Sequence, residues 1–327
     1  MGQSYVEVKF AMNHIYVGVD IGGTSIKVGL CDEEGNLIQT YEGPTDADQG
    51  PDTVLDRIAE YVKKIVEQSS YEWEQVAGIG IGIAGFMDIP EGFVKLSPNF
   101  PGFRNVPVKR TLEAKLGKTV RIDNDANVAA LGEAWGGAGR GISHIVAYTL
   151  GTGVGGGIII NGKIHQGATG MAGELGHMAI VPDIEAIKCG CGQIGCLETV
   201  SSATGIVRMA KEAVERGETT SLGVLERIEA KDVFDAAKAG DEVALRIVGR
   251  AAYYLGRSMA LVAVVVNPKR FVVGGGVSKA GDILFEPIRE TFRKFAPEVA
   301  QEGVDIVPAT LGNNAGVVGA AGLNLRS

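Results

Sequence analysis

One local pattern occurs twice in this chain, and the repetition limits what it can fold into. Residues 14–42, HIYVGVDIGGTSIKVGLCDEEGNLIQTYE, read as a strand, a glycine turn, a second strand, a turn at EEGN and a third strand. Residues 143–167, SHIVAYTLGTGVGGGIIINGKIHQG, repeat the series of strand, glycine turn, strand and NG turn. Helix and strand follow each time. After the first unit, Val54, Leu55, Ile58, Val62, Ile65 and Val66 recur at helical spacing, VAGIGIGIAGFMD reads as a buried strand, and VRIDNDANVAALGEAW as a strand opening onto a helix. After the second, residues 244–281 read as a long helix, a proline break, a strand and a glycine turn. Identity between the halves is low, so the repeat is structural and not a tandem array. Two such α/β halves leave a cleft between them, where ligands of α/β proteins bind.

Glycine supports this picture. The 327 residues include 48 glycines, which gather at strand ends without a period, excluding collagen-like and low-complexity chains. They imply repeated close backbone approach or positive φ. Hydrophobic residues at 45% and charged residues at 21% describe a globular protein long enough for two domains. The net charge of −8 and the absence of a basic stripe argue against a nucleic-acid partner. An anionic small substrate remains compatible, because backbone amides hold phosphate without net positive charge. The apolar run MALVAVVV, residues 259–266, falls far short of the roughly 20 residues of a membrane span. The start, MGQSYVEVKFAMNHIYVG, lacks the charged-then-apolar form of a targeting segment, so a cytoplasmic location is expected. Met12 offers an alternative start, which would make residues 1–11 an extension.

Several glycine motifs imitate nucleotide sites. GTGVGG, residues 151–156, has the dinucleotide spacing, but a strand follows it where that fingerprint needs a helix. GIIINGK, residues 157–163, approaches a phosphate loop and then continues with Ile164 instead of Ser or Thr. GKT at 117–119 has Leu112 where the first glycine belongs. What remains is a pair of hairpin turns, DIGGT and GTGVGG. Each alone is an ordinary tight turn. Facing one another, they would present backbone N–H groups with the hydroxyls of Thr24 and Thr152 to a phosphate chain. Asp20, just before the first turn, is suited to a hydrated Mg²⁺.

IDNDAN puts Asp123, Asn124 and Asp125 between a strand and a helix. Taken alone, Asp125 would be a helix N-cap, Asn99 a turn residue between prolines, and Glu174 and Glu198 solvated carboxylates. Three of the four cysteines fall in CGCGQIGC, residues 189–196. The spacings are C-x-C and C-x₄-C, unlike a C-x-x-C redox pair, and a disulfide framework is not expected in a cytoplasmic protein. Buried inert thiols are one reading. A metal knuckle is the other, in which three thiolates leave Zn²⁺ one ligand short. Cys31 reads as a packed thiol.

The segments VDIGGTSIKVGL, NDANVAALGE, LGTGVGGGII, GELGHM, CGCGQIGCLE and VVGGGVS, in this order, resemble the ROK sugar kinases. The likeness runs from about residue 15 to NNAGVVGAAGL near the end, and is greatest to bacterial ROK glucokinases. It implies the actin-like ATPase (ribonuclease H-like) fold, with two similar α/β domains around a cleft. Residues 1–122 plus 311–327 would form the smaller domain, and 123–310 the larger. The activity implied is phosphorylation of a hexose 6-hydroxyl by MgATP, with glucose as the expected sugar and fructose, mannose or an N-acetylhexosamine as alternatives. Asp20, Gly22, Gly23, Thr24 and Lys27, with Gly151, Thr152, Gly153 and Gly155, would serve the ATP phosphates, and Gly274, Gly275 and Gly276 the adenosine. The resemblance assigns Asp125 as general base and Asn99, Asn124, Glu174, His177 and Glu198 to the sugar. His177 becomes the fourth ligand of a structural Zn²⁺ with Cys189, Cys191 and Cys196. Homodimers or homotetramers are common in the family. Its repressors carry an N-terminal helix-turn-helix, for which a phosphate hairpin at residue 20 leaves no room.

Overall fold

Strand order explains why the sequence repeats. The computed structural model describes residues 14–97 and 100–326. β1 (Ile15–Ile21), β2 (Ser25–Cys31) and β3 (Leu37–Pro44) form an antiparallel meander, α1 (Pro51–Glu67) crosses over, and β4 (Val76–Ile83) joins β1 in parallel. A small sheet of β5 (Phe86–Asp88), β6 (Phe93–Leu96) and β7 (Arg104–Val106) and helix α2 (Val108–Leu116) precede β8 (Val120–Asn124), which lies parallel to β4. α3 (Asp125–Trp135) starts at once and leads to β9 (Ile145–Leu150), β10 (Val154–Ile160) and β11 (Lys163–Ile164). After the cysteine segment come α4 (Glu198–Ser201), α5 (Ala203–Glu215), α6 (Ala230–Lys238) and α7 (Glu242–Val266). β12 (Arg270–Gly274), α8 (Asp282–Phe295), α9 (Glu298–Gln301), β13 (Asp305–Pro308) and α10 (Ala315–Arg326) complete the chain.

The two large sheets have orders β3-β2-β1-β4-β8 and β11-β10-β9-β12-β13. Position for position, the pairings match: antiparallel, antiparallel, parallel, parallel. β1 and β4 are buried on both faces and, apart from Asp20 near the end of β1, read as runs of apolar residues and glycine, whereas β3 alternates along its length as an edge strand does. The stripe Val54, Leu55, Ile58, Val62 and Ile65 of α1 fills the first core. α7 anchors the second core with α5, α6 and α8. Among the described residues, no helix is long and apolar enough to cross a membrane.

Between the sheets, α3 and α10 pack together, and α10 also returns the chain to β1 and β4. A Cβ on Gly18 would overlap Val317 O, and one on Gly80 would overlap Ala320 O. The backbone of α10 therefore lies directly on the first sheet, closer than any side chain permits. Glu133 of α3 is buried, and its carboxylate accepts the N–H groups of Ala138 (2.8 Å), Thr310 (3.1 Å) and Leu311 (2.8 Å). It binds the two places where the chain crosses between sheets.

Asp241 caps α7 and gathers more donors than a cap requires. Its carboxylate accepts Ala244 N–H (3.0 Å), Ser221 N–H (2.7 Å) and the hydroxyls of Ser221 (2.8 Å) and Thr220 (2.9 Å). Burial works against the charge, but these donors prevail and pull the carboxyl down to about 2. A folded value below the unfolded one stabilises the protein at pH above about 4, and the benefit fades as pH falls towards 2. Asp241→Ala is expected to cost about 2 kcal/mol at pH 7, at the upper end for a lost cap, with the deficit shrinking below pH 4. Urea unfolding across that range measures it, and a deficit that does not vary with pH contradicts the account.

Candidate active site

The first glycine turn is closed by Gly22 N–H donating to Ser25 O at 2.9 Å. Buried Thr45 fastens it from behind: its hydroxyl donates to Gly22 O at 2.7 Å and its N–H to Thr24 O at 3.0 Å. Gly22, Gly23 and Thr24 are exposed at the tip. A Cβ at Gly23 would meet nothing within 4 Å, and its φ is not positive. Gly151 and Gly276 share both properties. Neither strain nor packing by this chain explains three bare glycines, so they suit close approach by something bound.

The other glycines assigned to nucleotide have reasons within the protein. A Cβ at Gly153 would overlap the Glu198 carboxylate. Gly155 lies inside β10, where a Cβ would press on Ala126 of α3 at 3.0 Å, so helix packing accounts for it. Gly274 lies against Ala309, and Gly275 combines φ 86° with overlap onto Leu150 O. Lys27, paired with Asp20 across β1 and β2, donates to Asn314 Oδ1 at 2.6 Å. Asp20 is half-buried. Burial, reinforced by the charge of Asp125 and opposed by Lys27, raises its carboxyl to about 6.

At the end of β8, Asn124 and not Asp125 caps α3: its Oδ1 accepts Ala126 N–H at 2.9 Å. Asp125 is therefore the first helical residue, with its carboxylate accepting the same N–H at 3.0 Å. Its side chain stays open to water, yet the surrounding walls raise its pKa by desolvation against the opposing N–H and Asn124 contacts. Glu174 is raised too, chiefly by burial, with Asp125 and Glu198 adding repulsion and His177 opposing. One electrostatic field thus joins Asp125, Glu174 and Glu198. Asn124 and Glu174 line a single cavity of about 90 Å³ with Gly85, Phe86, Lys95 and Met171.

His177 faces two ways. Its Nδ1 lies 3.7 Å from Cys189 Sγ, and its Nε2 lies 3.9 Å from Glu174 Oε2. Glu198 also links two parts, since Oε1 is 3.6 Å from Cys189 Sγ and Oε2 accepts Val154 N–H of the second glycine turn at 2.9 Å. The ligand atoms of His177, Cys189, Cys191 and Cys196 lie within 4.8 Å of one another. Cys191 and Cys196 Sγ are 3.7 Å apart, too far for a disulfide at about 2.05 Å. A tetrahedron with metal–sulfur bonds of about 2.3 Å has edges of about 3.8 Å, so the donor set fits zinc. All four cysteines are unpaired, and Cys31 is buried apart with Tyr16 and Trp135. Asn99, Met12 and residues 1–11 lie outside the described residues.

A second cavity, of about 420 Å³, begins at Gly151 and Gly276 and is walled by Ala203, Glu229, Lys231, Phe234 and Lys238. Sequence motifs do not mark these wall residues. They come from the start of α5 and one face of α6, whose pattern is that of any amphipathic helix. Asp20, Asp125, Glu174 and Glu198 lie close enough to act on one another's charge, so the end of β1, the start of α3 and the smaller cavity share one cleft between the two sheets.

The sequence model of the ROK family matches residues 16–327. The chain belongs to the ROK family. It is 45% identical over 311 residues to the glucokinase of Halalkalibacterium halodurans, covering 93% of each chain. Among solved ROK structures, the hexokinase of Thermus thermophilus superposes with a TM-score of 0.81 at 32% identity, over 94% of this chain and 96% of that one. The ROK glucokinase of Streptomyces griseus, in complex with glucose and AMPPNP, superposes with a TM-score of 0.75 at 38% identity, over 94% and 98%. The matched sheets are the paired halves of the actin-like ATPase fold shared by these ROK kinases.

Proposed function

We propose that this chain is an ATP-dependent glucokinase that transfers the γ-phosphoryl group of ATP to the 6-hydroxyl of glucose. The observation that carries this reading is the position of Asp125. Its solvent-open carboxylate directly follows Asn124 of the smaller cavity, and its charge acts both on Glu174 of that cavity and on Asp20, just before the first glycine turn. Phosphoryl transfer needs such a group to take the hydroxyl proton and aim the oxygen in line. Its raised pKa makes it a better proton acceptor than a free carboxylate. Glucokinase relatives at up to 45% identity support the sugar and the nucleotide together.

In this reading Gly22, Gly23, Thr24, Gly151 and Thr152 receive the phosphates, Lys27 adds positive charge, and Gly276 opens the larger cavity to adenosine. Asp20 would hold a hydrated Mg²⁺, which neutralises phosphate charge when bound. Asn124, Glu174, His177 and Glu198, with Asn99, would take the sugar hydroxyls. Residues 1–122 plus 311–327 and 123–310 would be the two domains, closing to exclude water from the transfer. Asp125→Asn is expected to lower turnover at least about 10²-fold while glucose binding, read by calorimetry, stays intact. Near-normal turnover overturns the assignment.

His177, Cys189, Cys191 and Cys196 would hold Zn²⁺, which fixes the imidazole tautomer when bound. With every position taken by protein, the ion serves structure. His177 Nε2 is left to face the sugar cavity beside Glu174. Metal analysis of the purified protein is expected to give about one zinc per chain, and Cys191→Ala to lose it together with glucose affinity; zinc well below one per chain contradicts this.

A homodimer is the form best suited to the surface of α7, or a homotetramer built from it, in the cytoplasm where unpaired thiols persist. Leu261, Val264 and Val265, the last 84% exposed, form a stripe that Val299 of the adjoining α9 extends. Light scattering should give a multiple of 34.2 kDa, reduced by Val265→Asp; a monomer, or an oligomer indifferent to that change, contradicts the assignment of this face.

A further inference from the structure

Behind Asn124 and Asp125 lies a carboxylate that the proposed transfer does not use. Asp123 is fully buried. Its Oδ1 accepts Asn124 N–H at 2.7 Å and Asn127 Nδ2 at 2.8 Å, while Oδ2 accepts Gln166 Nε2 at 2.6 Å. Burial raises its pKa, and the three donors oppose that rise.

The Gln166 bond joins two parts of the fold. Asp123 belongs to β8 in the first sheet, paired with Gly82 of β4. Gln166 stands two residues beyond β11, the edge of the second sheet, and begins the irregular stretch that ends at Glu174. Both ends of that stretch are held by the second sheet, where His165 N–H donates to Ile158 O at 2.7 Å and buried Gly173 lies against Gly156 and Gly157. His165, Gly167, Ala168, Thr169 and Met171 are exposed, and within it Ala172 N–H donates to Gln166 O at 3.2 Å. A hydrogen bond to a desolvated carboxylate is roughly twice as strong as a neutral one. It therefore ties the start of this segment firmly to the strand that carries Asn124 and leads into Asp125.

We propose that Asp123 and Gln166 are a positioning pair, which docks residues 165–174 on β8 so that Glu174 and Asn124 face one sugar cavity. The proposal rests on reading that cavity as the glucose site. Neither residue touches the substrate. Removing the Gln166 amide leaves Asp123 two of its three donors, so the segment loosens while the sheet stays formed. Lys109 and Glu113 of α2, Arg121 of β8 and Lys163 of β11 line the adjoining cavity of about 440 Å³, and with His165 beside Gln166 and Asp125 on α3 they are charged or titratable groups near the pair.

Gln166→Ala and Gln166→Glu test this, through steady-state kinetics from pH 6 to 8.5 and hydrogen exchange of the ligand-free enzyme. Gln166→Ala is expected to raise KM for glucose about tenfold, with kcat and KM for ATP within about threefold of wild type, and to speed exchange in 165–174. Gln166→Glu sets two buried carboxyls face to face. At pH 6 they share one proton and remake the bond, whereas at pH 8.5 both are charged and repel. Its KM for glucose should be near wild type at pH 6 and above that of Gln166→Ala at pH 8.5. Unchanged KM for glucose in both variants overturns the proposal, as does a general loss of activity and melting temperature without the pH reversal. If wild type does not phosphorylate glucose, the functional reading fails by itself. The pair is then judged by exchange alone, and unchanged exchange in Gln166→Ala overturns it.

Discussion

The geometry of this protein depends on helix backbone lying directly against sheet and helix backbone. At Gly18 and Gly80 the first sheet meets α10 without intervening side chains, and at Gly132 and Gly319 α3 and α10 meet in the same manner. A single Cβ at any of these points would overlap a main-chain atom. The close contact sets the spacing of the two sheets, and that spacing sets the width of the cleft where β1, β8 and β9 end. Glu133 then ties both crossings of the chain to this centre with charge-assisted bonds. Side chains in the cleft can be held accurately because the frame behind them has no soft layer.

Within the cleft, single residues serve two parts at once. His177 turns one ring nitrogen to the cysteines and the other to Glu174. Glu198 holds the second glycine turn while lying against Cys189. The cysteine knuckle is thereby mechanically continuous with the second glycine turn. Burial raises the carboxyls of Asp20, Asp125 and Glu174, and neighbouring carboxylates add repulsion at Asp20 and Glu174. Such clustering is costly to a fold and useful to a site that must receive cations and protons.

Local signals were strong where one physical rule acts alone. Alternating apolar residues around DIGGT and GTGVGG specify hairpins, and the run from Val54 to Val66 specifies an amphipathic helix; all are present. They were weak where several rules compete. Glycine answers to strain, packing and ligand approach, and sequence cannot separate these: Gly275 combines positive φ with a backbone overlap, Gly155 makes way for Ala126, and Gly23 serves nothing in the chain. IDNDAN likewise pointed to Asp125 as the N-cap, and the backbone gave that place to its neighbour Asn124. The walls from α5 and α6 carried no signal, because an ordinary amphipathic helix may border solvent or a cavity with the same pattern.

The sequence by itself determined the repeated hairpin frame, the cysteine cluster and the order of its motifs, since each depends on residues near one another in the chain. The tertiary structure alone decided which groups meet. Asp123 reaches Gln166 across 43 positions, Val154 reaches Glu198 across 44, and Lys27 reaches Asn314 across 287. Those pairings follow from two sheets brought together by bare helix backbone, a contact between distant segments that no local periodicity encodes.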